Sequence, residues 1–275
     1  MIKALVIGDP IDHSLSPVMQ EAAFQQTGIS GAYEKKRVPS DELEAFVNFL
    51  KDSHYAGCNI TIPHKVSILP FLDEIDEEAK EIGAVNTVVN KDGKLIGYNT
   101  DGKGFLLSLK EKISKPLSDL NVLLIGAGGA ARSIAYALSK EAPKYMAIAN
   151  RSEGRLHSLL KDLKDERIEG MSLQRAEENL ARFDVLINTT NAGMHPDTES
   201  VPLNLNLLKT GAVVSDIVYN PLTTRWLKEA EEKGATTDNG VSMLVMQGAM
   251  AFEKWTGTFP DTNNMKQVVM EQLRR

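Results

Sequence analysis

The sequence predicts an α/β protein made of two α/β domains, one with a mixed sheet and one with a doubly wound, mainly parallel sheet. Three observations support this prediction. Apolar runs typical of strands alternate with helical segments along most of the chain. The 275 residues are enough for about two domains of ~100–150 residues each. Near the middle of the chain, Asn121 to Arg132 forms a buried strand that runs into a glycine turn and opens a helix.

The first half of the chain is predicted to have the order βαβαβ, followed by a further helix and a hairpin. The strands are Ala4 to Ile7, Tyr33 to Val38 and Ala56 to Ile62, and the helices are Val18 to Gln26, one capped by Ser40 that ends at Leu50, and Asp73 to Ile82. The strands Val85 to Asn90 and Lys94 to Ile96 then flank the turn Lys91-Asp92-Gly93. The hairpin makes this sheet mixed.

The second half continues the alternation after a helix at Phe105 to Ile113, which we expect to be the first hinge between the domains. The elements that follow are the strands Val122 to Ile125, Tyr145 to Ala149, Phe183 to Ile187 and Ala212 to Asp216, and the helices Ala130 to Leu138, Ser152 to Leu163 and Thr223 to Lys233. Right-handed crossovers between such units give a doubly wound sheet that binds ligands at the carboxyl ends of its strands.

The last part of the chain is predicted to be helical. An apolar helix from Gly240 to Trp255 is interrupted by Ser242 and Gln247, and a shorter helix runs from about Asn263 to Leu273. Because the preceding α/β unit is complete by about Thr237, we expect this tail to cross back and pack on the first domain. The predicted domains are therefore a discontinuous one, residues 1–102 plus 240–275, and a second one, residues 103–239.

Composition favours a small-molecule partner. The 31 basic and 37 acidic residues give a net charge of -6, which argues against nucleic acid and against a basic membrane-binding surface. Cys58 is the only cysteine, so no intramolecular disulfide can form, and no CxxC or close set of histidines predicts a metal site. The chain has no signal-like start and no apolar run near the ~20 residues of a membrane span. We expect a cytoplasmic enzyme without a metal.

The glycine turn predicts a Rossmann-type dinucleotide site. The expected pyrophosphate-binding stretch is Gly126, Ala127, Gly128, Gly129 and Ala130. Its glycines remove side chains where a backbone must approach a pyrophosphate, and the N-terminus of the following helix offers free N–H groups. Ala131 replaces the last glycine of G-x-G-x-x-G and still allows close packing of helix on strand. The alternative is a tight βα turn without a ligand.

The segment that begins 24 positions after Gly126 predicts NADP(H) as the cofactor. An NAD-binding chain usually has an acid here for the ribose 2′-hydroxyl, and this chain has Asn150, Arg151 and Ser152 instead. Arg151 can contact a 2′-phosphate and stack on adenine, Ser152 can donate to it, and Arg155 adds charge one turn later. The alternative is a solvated helix start in which Arg155 pairs with Glu153 or Asp162.

Two groups of polar residues at strand ends carry the candidate chemistry. The first is the segment NITIPHK, Asn59 to Lys65, and the second combines GAVNTV, Gly83 to Val88, with GYNTDG, Gly97 to Gly102. We expect Lys65 to project from a turn after Pro63, Asp101 to end the hairpin strand, and both to face one cleft. A partly desolvated lysine beside a carboxylate can exchange a proton with an alcohol or ketone oxygen. The alternative is a surface ion pair.

A nucleophilic Cys58 beside His64 is disfavoured because no third group orients them.

These segments resemble the shikimate dehydrogenases, over nearly the whole chain. The other matching motifs are SLSP at Ser14 to Pro17, NTTNAGM at Asn188 to Met194, DIVYNPLTT at Asp216 to Thr224, and MQGAMAFEKWTG at Met246 to Gly257. The resemblance implies NADPH-dependent reduction of 3-dehydroshikimate to shikimate in aromatic amino-acid biosynthesis. It implies that Lys65 is the acid–base group and Asp101 its partner.

The resemblance also implies binding residues for the substrate and for the nicotinamide half of the cofactor. The substrate residues are Ser14, Ser16, Thr61, Asn86, Asp101, Tyr219 and Gln247, and the nicotinamide residues are Thr189, Thr190, Met194, Ile217, Gly240 and Met243. Each taken alone has an ordinary structural explanation, such as a loop hydroxyl, a helix cap or a buried amide. Together they supply the hydroxyl, amide and phenol groups that a polyhydroxylated acid requires.

Two other functions are considered, although the sequence argues against both, and we expect a monomer or homodimer. One is an NAD-using quinate/shikimate dehydrogenase of the same superfamily, which should have an acid near Asn150. The other is a non-catalytic NADP-sensing paralogue, which should have lost Lys65 or Asp101.

Overall fold

The computed structural model of the chain describes residues 1–274. Contacts between Cα atoms divide the chain into two compact units. The first comprises Met1–Gly104 and the chain from Leu244 onward, and the second comprises Phe105–Met243. Each division falls inside a helix.

The first unit begins with alternating strands and helices and ends in two helices from the C-terminal part of the chain. Its elements are β1 (Ile2–Gly8), α1 (Ser16–Thr27), β2 (Gly31–Arg37), α2 (Leu43–Asp52), β3 (Gly57–Ile60), α3 (His64–Ser67), β4 (Glu74–Ile75), α4 (Glu77–Ile82), β5 (Thr87–Lys91), β6 (Lys94–Tyr98) and the start of α5 (Asp101–Lys110). The C-terminal helices complete the unit.

The sheet of the first unit is mixed, as predicted. Its order is β2-β1-β3-β5-β6-β4. Strand β1 is parallel to β2 and β3, whereas β5 is antiparallel to both β3 and β6. The hairpin turn has positive φ at Asp92 (53°) and Gly93 (87°), the conformation that a two-residue turn needs to match the twist of its strands.

Three predictions for the first unit are wrong in detail. The start of the helix predicted at residues 73–82 is the short strand β4, and α4 begins only after Asp76, whose carboxylate accepts from the backbone N–H of Glu78. Ser40 does not cap α2, because it lies in a 3₁₀ turn, Ser40–Glu42, that precedes the helix. Asp101 does not end a strand, because it is the first residue of α5, four residues before the predicted helix start.

The second unit consists of six strands with helices between them. After α5 its elements are β7 (Asn121–Ile125), α6 (Gly129–Lys140), β8 (Tyr145–Ala149), α7 (Glu153–Leu163), β9 (Ile168–Met171), α8 (Leu173–Glu178), β10 (Val185–Asn188), β11 (Val213–Asp216), α9 (Arg225–Glu232) and β12 (Thr236–Asp238). The chain then passes into α10 (Val241–Thr256) and α11 (Thr262–Leu273). Strands β9 and β12 and helix α8 were not predicted.

All neighbouring strands of the second sheet are parallel, in the order β12-β11-β10-β7-β8-β9. The chain moves outward from β7 to β9 on one side and then returns to the other side of β7 with β10. The direction of winding therefore reverses between β7 and β10, which is where doubly wound sheets bind dinucleotides. The predicted Rossmann-type fold is confirmed.

The sheet of the second unit is covered on both faces, as its apolar strands require. Val122 and Leu124 of β7 belong to one core, with apolar residues of α5, α6 and α7. Leu123 and Ile125 belong to another core, together with Trp226 of α9. Because successive side chains of a strand point to opposite faces, this division places helices on the two sides of the sheet.

Candidate active site

Lys65 and Asp101 form a largely buried ion pair in the first unit. The lysine Nζ lies 2.6 Å from the carboxylate Oδ2. Their side chains are only 14% and 4% exposed, respectively, so water screens this pair less than an ion pair at the surface. The lysine retains hydrogens that can be donated to a ligand, because an ammonium has three. The pair has the composition and the burial of an acid–base site.

The backbone around Lys65 is held by two contacts with neighbouring segments. The lysine lies on the short helix α3 rather than on a turn, which corrects the prediction. The Lys65 carbonyl accepts from the N–H of Val85 at 2.8 Å. The preceding residue, His64, is fully buried and its Nε2 lies 2.6 Å from the carbonyl oxygen of Val38. Lys65 therefore projects from a fixed backbone.

Asn86 links the carboxylate to the rest of the candidate substrate residues. Its Nδ2 lies 2.8 Å from Asp101 Oδ1 and 3.3 Å from Oε1 of Gln247. Thr100 is a residue that the sequence analysis missed. Its hydroxyl donates to the carbonyl of Gln247 at 3.0 Å and its backbone N–H donates to Asn86 Oδ1 at 2.9 Å. The sequence signal for Thr100 is its place in the segment GYNTDG, directly before Asp101.

The other candidate substrate residues of the first unit follow strands β1 and β3. Ser14 and Ser16 follow β1, and the N–H of Ser16 donates to the Ser14 hydroxyl at 3.3 Å. Thr61 follows β3, and its N–H donates to the carbonyl of Ile7 in β1 at 2.9 Å. These strands are adjacent and parallel, so their carboxyl ends lie at one edge of the sheet.

Cys58 is fully buried, and burial raises the pKa of its thiol well above the ordinary value, which argues against a nucleophile.

The glycine turn of the second unit fits a dinucleotide. Gly126 follows β7 with φ +117°, and a Cβ there would lie 2.5 Å from Oγ1 of Thr189, so a side chain is excluded both by conformation and by space. Gly128 is the N-cap of α6, and no atom lies within 4 Å of the place where its Cβ would be. The open space and the free helix N-terminus are what a pyrophosphate needs. NADP fits the residues present.

The segment after β8 has the exposed basic groups that a 2′-phosphate would require. Arg151 and Arg155 are both exposed. The Ser152 hydroxyl caps α7 by accepting from the N–H of Arg155, which leaves its own hydrogen for a ligand. Asp162, one of the acids considered as a partner for Arg155, is paired instead with Arg132, 2.5 Å away.

A buried carboxylate joins the loops that follow β10 and β11. Asp216 is 1% exposed, and its oxygens accept from Asn188 Nδ2 at 3.0 Å, from the N–H of Val218 at 3.0 Å and from the Thr224 hydroxyl at 2.9 Å. Burial raises the pKa of Asp216 to about 6, although these three donors lower it. The two loops carry the remaining candidate residues of the second unit, Thr189, Thr190, Met194, Ile217 and Tyr219, and the chain continues to Gly240 and Met243.

Within the described chain, residues 1–274, no three His, Cys, Asp or Glu side chains come together in a way that could hold a metal ion. None of the helices in this range has the length and apolar character needed to cross a membrane.

A mixed α/β unit with a buried lysine–carboxylate pair, joined in one chain to a doubly wound dinucleotide-binding unit, defines a nicotinamide-nucleotide-dependent oxidoreductase. A protein of Geobacillus kaustophilus named shikimate dehydrogenase (NADP(+)) is 49% identical over 270 residues, which cover 98% of each chain. This chain belongs to the shikimate dehydrogenase family.

The family match extends over three segments and into solved structures. Residues 6–88 match the shikimate dehydrogenase substrate binding domain, residues 108–200 match shikimate / quinate 5-dehydrogenase, and residues 240–270 match the shikimate 5'-dehydrogenase C-terminal domain. A shikimate 5-dehydrogenase of Thermus thermophilus in complex with NADP(H) and shikimate is 36% identical, with a TM-score of 0.89 over 98% of this chain and 99% of that one. A quinate dehydrogenase of Corynebacterium glutamicum in complex with NAD is 31% identical, with a TM-score of 0.89 over the same shares.

Proposed function

We propose that Lys65 is the acid–base group, and Asp101 its orienting partner, in the interconversion of 3-dehydroshikimate and shikimate. The reaction and its cofactor, NADP, follow from membership of the family. The observation that supports the two residues is their 2.6 Å contact with side chains only 14% and 4% exposed. An intact pair also argues against a non-catalytic paralogue.

The proposed role of Lys65 follows from the balance of the reaction. When bound, NADPH would supply the hydride that reduces the carbonyl carbon of 3-dehydroshikimate, and the carbonyl oxygen must gain a proton. The Lys65 ammonium donates that proton, while the adjacent carboxylate holds the lysine in place. In the reverse direction the neutral amine accepts the proton of the hydroxyl that is oxidised.

The surrounding polar groups are proposed to bind the substrate. Asn86 and Gln247 lie beside Asp101 and can hydrogen-bond to the ring hydroxyls. Ser14, Ser16, Thr61 and Tyr219 are proposed to complete the set of hydroxyl groups for the carboxylate and the remaining hydroxyls of shikimate. The grouping of Asn86, Gln247 and Asp101 in a single network supports this proposal for the first unit.

The cofactor residues are proposed on the geometry of the second unit. The pyrophosphate would be held at Gly126, Ala127, Gly128, Gly129 and Ala130, and the adenosine 2′-phosphate at Asn150, Arg151, Ser152 and Arg155. Thr189, Met194, Ile217, Gly240 and Met243 would border the nicotinamide. The two exposed arginines, together with the lack of an acid among residues 150–152, support NADP rather than NAD.

The domain assignment and the cellular setting also remain proposals. Residues 1–102 plus 240–275 would form the substrate-binding catalytic domain and residues 103–239 the NADP-binding domain. The single, buried cysteine and the net charge of -6 support a cytoplasmic enzyme that acts on small molecules. The proposed monomer or homodimer is checked by light scattering of the purified chain.

The experiment that tests the proposal is the turnover of a Lys65→Met variant. Methionine keeps much of the side-chain volume but has no proton to transfer, so kcat for 3-dehydroshikimate with NADPH should fall by about 10²–10⁴. The dissociation constant for shikimate should change much less. Lys51→Met is a matched control, because Lys51 forms a more exposed ion pair with Asp73 in the same unit. If Lys65→Met turned over within a few-fold of the wild type, another group would be the proton donor.

The alternative of a quinate-active, NAD-using enzyme is tested on the unmodified chain. Quinate and shikimate would each be assayed with NADP and with NAD. The residues at 150–152 predict that shikimate with NADP has the highest kcat/KM of the four combinations. A higher value for quinate with NAD would favour the alternative, whose activity is that of the Corynebacterium glutamicum relative.

A further inference from the structure

Tyr33 lies in strand β2 and is buried in the first unit. Its side chain is part of the core, with 3% of the residue exposed, and its ring packs 6.0 Å from the ring of Trp255. The phenol hydroxyl donates to Oδ1 of Asn59 at 2.6 Å. Burial raises the pKa of the phenol well above its ordinary value, so it remains protonated and can donate.

The next residue after Tyr33 in this series of hydrogen bonds is Asn59, and a backbone carbonyl determines which way its amide group faces. Nδ2 of Asn59 lies 3.2 Å from the carbonyl oxygen of Asn86 and 3.1 Å from the hydroxyl of Thr87. A carbonyl oxygen can only accept, so the amide nitrogen must face it. The amide oxygen of Asn59 then faces Tyr33, and the phenol must be the donor.

The next bond orients Asn86. Its Oδ1 accepts from the backbone N–H of Thr100 at 2.9 Å, and a backbone N–H can only donate. The hydroxyl of Thr87, which already accepts from Asn59, donates to the same Oδ1 at 3.0 Å. Nδ2 of Asn86 is therefore directed to Asp101 Oδ1, 2.8 Å away, and the other carboxylate oxygen accepts from Lys65.

We propose that Tyr33 is a positioning residue for the reaction, because it starts a chain of hydrogen bonds that runs through Asn59, Thr87 and Asn86 to the Asp101–Lys65 pair. Every member is nine-tenths or more buried up to Asp101, and each donates toward the next acceptor in one direction. Loss of the first donor leaves the amide oxygen of Asn59 unpaired at a buried position, which weakens the hold on Asn59 at the start of the chain. The inference rests on the proposed roles of Lys65 and Asp101.

The test is Tyr33→Phe, which removes the hydroxyl and keeps the ring that packs on Trp255. We expect kcat for shikimate oxidation to fall about 10-fold, the size of effect expected when a buried hydrogen bond is left unmade. KM for NADP should stay within about two-fold, since the network lies in the first unit. Tyr55→Phe is the matched control, because it removes a hydroxyl that donates to Glu34 on the exposed surface at 2.9 Å. It should leave kcat within about two-fold of the wild type.

A double-mutant cycle with Thr87→Val separates positioning from a general loss of packing. Thr87→Val breaks the same chain one step nearer to Asp101, so Tyr33→Phe should have little further effect on kcat in that background. A multiplied loss in the double variant, or a Tyr33→Phe variant that behaves like Tyr55→Phe, would overturn the inference. If Lys65→Met remains active, the proposed function fails instead. If Lys65→Met is inactive and Tyr33→Phe is not impaired, only this inference fails.

Discussion

Asp101 divides its two carboxylate oxygens between two different donors, one of which is Lys65. Oδ2 accepts from the lysine Nζ at 2.6 Å, and Oδ1 accepts from Asn86 Nδ2 at 2.8 Å. Both oxygens therefore act as acceptors for partners that can only donate at those atoms. One oxygen of the Asp101 carboxylate holds the lysine, and the hydrogen bond from Asn86 to the other oxygen prevents the carboxylate from rotating.

Asp101→Asn should be nearly as damaging to turnover as removal of the lysine. An amide has only one acceptor oxygen, so either Lys65 or Asn86 would face an N–H group. We expect kcat to fall by about 10² or more, and the double variant Lys65→Met/Asp101→Asn to be little slower than the poorer single variant, since the two residues act as a unit. Losses that multiply in the double variant would show that the residues act independently.

Arg151→Ala should weaken NADP far more than NAD. A charge-assisted contact to the 2′-phosphate contributes about 1.5–3 kcal/mol, and NAD has no phosphate at that position. The measurement is the dissociation constant of each cofactor by titration calorimetry. Arg225→Ala is a control, since Arg225 is paired with Glu229 at 2.8 Å. An equal loss for both cofactors would contradict the assignment of Arg151.

Ser14→Ala and Tyr219→Phe should raise KM for shikimate and leave the affinity for NADP nearly unchanged. Each removes one hydroxyl proposed to bind the substrate, and a site built to pair a substrate group loses affinity when that partner is absent. Tyr145→Phe is the control for Tyr219→Phe, because the Tyr145 hydroxyl bonds to Glu169 at 2.5 Å. Variants that only unfold at lower temperature, with unchanged KM, would indicate a structural role.

Asp216→Asn should flatten the dependence of stability on pH between about pH 4 and pH 6. Burial raises the pKa of Asp216 from 3.8 to about 6, so the folded state holds a proton there that the unfolded state has released. The stabilisation that Asp216 contributes is fully present at pH values below its pKa in the unfolded chain. It is lost as the pH rises through its pKa in the folded protein. This difference between the folded and unfolded pKa values of Asp216 corresponds to about 3 kcal/mol in the free energy of unfolding.

The asparagine can keep the hydrogen bonds of Asp216, because Oδ1 still accepts from Asn188 and Val218, and the Thr224 hydroxyl can turn to accept. We would compare the free energies of unfolding of both proteins by urea titration at several pH values. The wild type should lose stability relative to the variant as pH rises. Asp165→Asn should show the opposite trend, because hydrogen bonding to Arg167 lowers the pKa of Asp165. Parallel pH curves for the wild type and Asp216→Asn would contradict the assignment.

The sequence predicts the central strands of the second unit well and its edges poorly. The predicted strand Tyr145 to Ala149 agrees with β8 at both ends, because buried parallel strands are continuous apolar runs. Strand β9 reads IEGM and β12 reads TTD, and both lie at the edges of the sheet. Short edge strands with polar residues carry no apolar pattern, so only their pairing with a neighbouring strand identifies them.

The position of Asp101 is the clearest case in which tertiary structure overrides local preference. Gly102 and Gly104 make the start of α5 look like a loop, since glycine disfavours helices. A Cβ on Gly104 would lie 2.9 Å from the backbone nitrogen of Gln247, so the glycine is needed for the close approach of α5 to α10. That approach brings Gln247 to the network of Asp101, which a sequence cannot reveal because the two residues are far apart in the chain.

The construction of the first unit from both ends of the chain has a consequence for synthesis. Helix α1 packs against α11, Gln20 donates to the carbonyl of Gly248 across 228 residues, and the ring of Phe24 lies 4.9 Å from that of Phe252. A ribosome must translate the whole second unit before these partners appear, whereas the second unit contains all of its own strands in one stretch. The nascent N-terminal segment therefore keeps apolar surface uncovered until α10 and α11, which lie beyond the second unit in the chain, have been translated.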